Sequence, residues 1–136
     1  MIARVFGPPK PQGSMSVSRG GRIYQDRDVI AWRNLITQIT VTEARRIGWR
    51  LPLDEPVRVG LTFWLPRPKK PRWEVPAVKP DLDKLCRSVL DALSPHKGIG
   101  VLKDDSRVIA LDPAPVKEYE TADQPPGVLI VIRRAS

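Results

Sequence analysis

Residues 57–65 read VRVGLTFWL, and their reading decides the fold. Val57, Val59, Leu61, Phe63 and Leu65 alternate with Arg58, Gly60, Thr62 and Trp64. A period of two predicts a strand with one face on a core. Downstream, LDKLCRSVLDAL (82–93) changes period. Leu82, Leu85, Cys86, Val89, Leu90 and Leu93 recur at three- and four-residue intervals, which predicts an amphipathic helix with all six in the core. Cys86 lies on that apolar stripe and reads as packing.

Working upstream, a second helix is predicted to start from a cap at Asp26 or Asp28. Val29, Trp32, Ile36, Ile39 and, approximately, Ala44 form its apolar stripe, Arg45 and Arg46 its last turn, and Gly48 its stop. IARVFG (2–7) and RIY (22–24) are short strand candidates. PPKPQGSMSVSRGGR (8–22) is predicted as a loop carrying Lys10, Arg19 and Arg22. After the second helix come a short apolar piece, a polar turn at 103–106 and a strand reaching 111. GVLIVIRR (127–134) is a near-continuous apolar run, suited to a strand covered on both faces or set at a subunit contact. This order predicts one α+β (mixed α/β) domain over residues 1–136, with a single mixed sheet of about four to five strands packed against two main helices.

The charge balance narrows the partners. Lys and Arg number 23 against 15 Asp and Glu, a net charge of +8, which favours nucleic acid over an anionic membrane. With one cysteine and one histidine, Cys86 and His96, neither a disulfide framework nor a thiolate or imidazole metal cluster is available. Any metal must be held by carboxylates, hence Mg²⁺, with Mn²⁺ as the alternative. No apolar run approaches the roughly 18 residues of a membrane span, and the N-terminus lacks a secretory apolar segment, so a cytoplasmic protein is expected.

Two segments carry the candidate chemistry. PRPKKPRWEVPAVKP (66–80) sets Arg67, Lys69, Lys70, Arg72 and Lys79 against the single acid Glu74. Its prolines keep it extended. It reads either as a solvated linker or as a loop gripping phosphates, with Trp73 available to stack on a base. The second segment is KPDLDKLCRSVLDAL (79–93), where Asp81 and Asp83 flank Leu82 just after a proline. Within a helix they would point about 200° apart, so they converge only if the helix begins there. Their ordinary reading is an N-cap and a first-turn acid. A second acidic turn, Lys103-Asp104-Asp105-Ser106, could contribute one more carboxylate. Acids near a phosphate-binding face repel the ligand unless a divalent cation stands between them. Three carboxylates would leave Mg²⁺ room for water and a phosphate oxygen, a nuclease-type arrangement.

PDLDKLCRSVLDAL, a Gly-containing spacer and VLKDDSRV together resemble the RusA family of Holliday-junction resolvases. The pattern is D-L-D, a helix ending in D-A-L, then a turn with D-D, and the close match covers roughly residues 79–112. The resemblance implies a homodimeric, Mg²⁺-dependent endonuclease that cuts four-way DNA junctions symmetrically. It implies metal ligands at Asp81, Asp83 and Asp105, with Asp104 as the neighbouring acid and Asp91, of D-A-L, in a structural role or linked to basic residues. Where the family often has a functional lysine, this chain has Arg87, which grips phosphate in two-pronged fashion but does not donate a proton. Arg87 and Lys84 are then expected on the phosphate, and Lys10, Arg67, Lys69, Lys70 and Arg72 on the DNA arms. No small-molecule cofactor is implied, and no nucleotide-binding α/β half is visible. The rival reading is a basic nucleic-acid-binding protein without catalysis, in which the acids only cap and turn.

Overall fold

The computed structural model describes residues 1–12, 15–17, 23–25 and 27–135. Its elements in chain order are β1 (Ile2–Phe6), β2 (Met15–Val17), β3 (Ile23–Gln25), α1 (Arg27–Arg46), β4 (Val57–Leu65), α2 (Leu82–Leu93), a short 3₁₀ turn (Asp105–Arg107), β5 (Val108–Leu111), β6 (Val116–Tyr119) and β7 (Gly127–Arg134). Five strands form one mixed sheet in the order β1-β7-β4-β5, with β6 continuing the β5 side of β4. The β1–β7 and β7–β4 pairs are antiparallel, whereas β4–β5 and β4–β6 are parallel. Strands β2 and β3 form a separate antiparallel ribbon. The α+β reading of one mixed sheet with two main helices therefore holds.

Both helices cover one face of the sheet. Val57, Val59, Leu61, Phe63 and Leu65 of β4 meet Val5, Val128, Ile130 and Ile132 from neighbouring strands and Trp32, Ile36, Leu85, Val89 and Leu93 from the helices. Burying each such side chain is worth about 1.5–3 kcal/mol. The other face of β4 is more covered than its alternation suggests. Gly60 is buried because the chain after β5 crosses it, and a Cβ there would lie 2.9 Å from Pro113 Cδ. Trp64 is buried beneath the Arg4 guanidinium, 4.4 Å from its ring centroid.

Helix α2 spans the predicted residues. Leu85, Cys86, Val89 and Leu93 are buried, while Leu82 and Leu90 stand half-buried at the flank of the stripe. Helix α1 starts at Arg27, with Asp28 in its first turn; Asp26 lies outside the described residues, as do Arg19 and Arg22. Its stripe takes Thr40 in place of Ile39. Thr40 is fully buried because its hydroxyl donates back to Ile36 O at 2.7 Å, while Ile39 is half-buried. Gly48 ends the helix in left-handed geometry (φ +86°), and Trp49 N reaches back to Ala44 O at 3.0 Å.

Two strands fall where loops were expected. β2 lies inside the 8–22 stretch, and β6 lies within the 113–126 stretch, whose clustered prolines read as loop punctuation. β7 is an interior strand, flanked by β1 and β4, so neither of its edges is open to a second subunit. Only Leu129 and Val131 on its outer face remain half-exposed.

Candidate functional site

The polypeptide enters α2 from Pro80, which favours an extended residue before the helix and a fresh start after it. Asp81 takes the N-cap position in extended geometry (φ −69°, ψ 140°), and its carbonyl accepts the first helical bond from Leu85 N at 3.1 Å. Its carboxylate makes no capping hydrogen bond. The ordinary reading of Asp81 as a cap thus accounts for its backbone and not for its side chain. The carboxylate instead stands 3.9 Å from Lys84 Nζ, one turn on.

Asp83 faces elsewhere. It shares with Arg87 and Leu90 the face set by i, i+4 and i+7 spacing. Asp83, Arg87 and Asp105 line one open cleft of about 630 Å³, with Leu82, Cys86, Leu90, Leu111 and Pro115 as its apolar wall. Neither the Asp83 carboxylate nor the Arg87 guanidinium makes a hydrogen bond or ion pair among the described residues, and both are exposed. Two uncommitted groups of opposite charge, one turn apart beside an apolar wall, are disposed to hold a ligand with both polar and apolar parts.

Asp105 arrives from the 3₁₀ turn. Asp104 N-caps that turn by accepting from Ser106 N at 3.0 Å. That bond, together with one from Asp105, holds the Asp104 carboxyl below the usual carboxylate range. Asp105 is pushed up, first by the hydrogen bond it shares with Asp104, then by burial and by the charges of Asp104 and Asp91. The two acids have divided their tasks: Asp104 builds the turn, and Asp105 faces the cleft. The turn is braced from below. Arg107 donates to Asp54 Oδ1 at 2.8 Å, and Lys103 stands 3.5 Å from Asp54 Oδ2.

Asp91 lies on the far side of Asp105. It pairs with Arg33 of α1 at 3.6 Å and lines a separate groove with Asp104, Asp105, His96, Lys97 and Lys103. The link from Asp91 to a basic residue is therefore observed. Cys86 is packing: burial, joined by the Asp83 charge, pushes its thiol up to about 11.

Asp81 opens into another pocket, lined by Lys10, Gln12, Lys79, Pro80 and Lys84 together with Pro9 and Pro11. The expected carboxylate trio is thus divided, with Asp83 and Asp105 in one cleft and Asp81 among cations in the next. Among the described residues no three Asp, Glu, His or Cys side chains are gathered to hold a metal ion. The donor chemistry nevertheless suits a hard divalent cation. Two exposed carboxylates share a cleft, and a third, unrestrained by a cap bond, begins the same helix.

In the basic loop, Arg67, Lys69, Lys70, Arg72 and Lys79 are all exposed. The Arg72 guanidinium stacks on the Trp73 ring at 4.3 Å, and Trp73 is 43 % exposed. Sequence reasoning missed Lys117 of β6, whose ammonium donates to Val78 O at 2.7 Å and Pro80 O at 2.9 Å, directly before Asp81. Only the recognition of β6 as a strand could have signalled it. No helix among the described residues is long and apolar enough to cross a membrane.

Compared with known protein families, the chain matches the model described as Endodeoxyribonuclease RusA over residues 7–133 of 136. No curated protein matches it.

Proposed function

We propose that this chain, which belongs to the RusA family of endodeoxyribonucleases, resolves four-way (Holliday) DNA junctions by paired, symmetric nicks in DNA recombination and repair. The observation that carries the reading is the cleft shared by Asp83, Arg87 and Asp105, in which two of the motif's acids meet a cation that no other group among the described residues engages. Asp83 and Asp105, with Asp81 at the start of the helix that carries Asp83, would hold Mg²⁺ or Mn²⁺. Bound there, such an ion supplies a water of lowered pKa and positive charge at the phosphate.

The residues of the chain do the rest. Arg87 holds a non-bridging phosphate oxygen through fixed guanidinium donors and stays charged throughout, so it orients the phosphate and hands over no proton. Lys84 balances Asp81 and adds charge at the entrance to the helix. The apolar wall of Leu82, Cys86, Leu90 and Leu111 keeps water from one side of the cleft and strengthens the electrostatics inside it. Lys10, Arg67, Lys69, Lys70 and Arg72 hold the arms through their phosphates, and the Arg72–Trp73 stack offers a face to an unpaired base at the crossover. Paired cuts need two active sites, which a two-fold homodimer would present to a two-fold junction.

The test is cleavage of a labelled four-way junction with Mg²⁺. Paired nicks that disappear with EDTA, and that fall by on the order of 10²–10⁴-fold in Asp83→Asn, are expected. Tight junction binding that is indifferent to EDTA, with no nicks, would establish the rival reading of a non-catalytic binder.

A further inference from the structure

The structure assigns Lys117 a positioning role: it latches the end of the basic loop so that Asp81 and Asp83 are presented correctly, a role that rests on the nuclease reading above. Residues 66–80 form no helix or strand, and their one internal backbone hydrogen bond among the described residues runs from Ala77 N to Val75 O at 2.8 Å. Both ends of the loop are tied to the same short stretch of chain. At the start, Arg67 N donates to Glu120 Oε1 at 3.1 Å, while Glu120 N donates to Leu65 O at 2.8 Å. At the end, Lys117 Nζ donates to the carbonyls of Val78 and Pro80.

The direction of Lys117 follows from register. It pairs with Phe63, which is fully buried beneath the helices, so its side chain leaves the sheet on the helix-bearing side. Val116 and Glu118, its neighbours on β6, are exposed. Lys117 makes no ion pair among the described residues, so its charge is committed to two backbone dipoles. Such charge-assisted bonds are the stronger kind. The second acceptor, Pro80 O, immediately precedes Asp81. A loop that pulls on phosphates would otherwise shift the first turn of α2 with it. The latch separates the two tasks by letting the loop tip adapt to DNA while its root, and the acids, stay in register with the sheet.

The experiment compares wild type with Lys117→Met, Lys117→Arg and, as an exposed control on the same strand, Glu118→Gln. Hydrogen–deuterium exchange of peptides covering 76–84 reads the latch without any catalysis. Steady-state junction cleavage, with Mg²⁺ titrated, reads its consequence. Lys117→Met is expected to exchange faster over 76–84 and not over α1. Its kcat should fall about ten- to hundredfold, the usual cost of losing a group that orients metal ligands. The half-saturating Mg²⁺ concentration should rise while KM for the junction stays within about twofold. Lys117→Arg should restore most of both readouts, and Glu118→Gln should change neither. Unchanged exchange in Lys117→Met refutes the latch whatever the nuclease activity. Faster exchange with unchanged kcat also overturns the proposal, as does a loss of kcat matched by an equal loss of junction affinity. A wild type that cuts nothing refutes the nuclease reading separately, since the exchange data stand alone.

Discussion

The two sides of the α2 entrance differ although they are two residues apart in the chain. On one side Asp83 shares a cleft with Arg87 and Asp105 against an apolar wall, and its carboxylate has no hydrogen bond or ion pair among the described residues. On the other, Asp81 sits among Lys10, Lys79 and Lys84, with Lys84 at 3.9 Å. The difference comes from helix geometry at a boundary: one acid belongs to the extended approach and the next to the first turn. A short D-x-D can therefore face two surfaces, a cleft shared with Arg87 and Asp105 and a pocket lined by lysines.

The largest effect that can break this division lies in the acidic turn. Asp105→Asn is expected to reduce kcat by on the order of 10²–10⁴-fold, the cost of a positioned catalytic group. Asp104→Asn should cost far less, because an amide oxygen still accepts from Ser106 N and keeps the turn. Equal losses in single-turnover cleavage would mean that the two acids have not divided their tasks. A smaller effect belongs to the cationic pocket. Lys10→Ala should weaken junction binding at every sequence, reduce the slope of log K against log salt by about 1 and leave kcat intact. A filter-binding salt titration checks this, and a kcat defect would merge the two sides that the structure separates.

The smallest effect concerns the brace beneath the turn. Hydrogen bonding from Arg107, then the Lys103 charge, holds the Asp54 carboxyl below its ordinary value. A carboxylate depressed in the folded state stabilises above its unfolded pKa, and that contribution is lost as pH falls through the folded pKa. Asp54→Asn should accordingly melt slightly below wild type at neutral pH. The two melting temperatures should converge as pH drops below the usual carboxylate range. A gap that persists in acid would show that packing, and not charge, holds the turn.

Much of this arrangement was legible in the sequence because periodicity and burial agree. The alternation of 57–65 and the stripe of 82–93 each pack one apolar face against the same core, so β4 and α2 appear with their predicted bounds. β6 was not legible. Val116-Lys117-Glu118-Tyr119 has no apolar alternation, and its inward positions are a lysine that serves two carbonyls and a tyrosine. Its strand character comes from parallel pairing with the far half of β4, a contact that local pattern does not encode. The same holds for the site. The D-x-D and D-D segments and Arg87 were visible as residue types, but the separation of Asp81 from Asp83, and of Asp104 from Asp105, depends on which way single turns of backbone point.

The outer side of β4 is completed in two short pieces, β5 against its first half and β6 against its second, with Asp112–Pro115 lifted over Gly60 between them. An uninterrupted border would offer an incoming strand a row of free amides and carbonyls. Here the row is broken at its centre, and an extended peptide meets no more than four residues before the backbone turns away. A strongly basic protein concentrated along a polyanion brings its own copies close together. The interrupted border limits strand addition from a neighbouring copy along this side of the sheet.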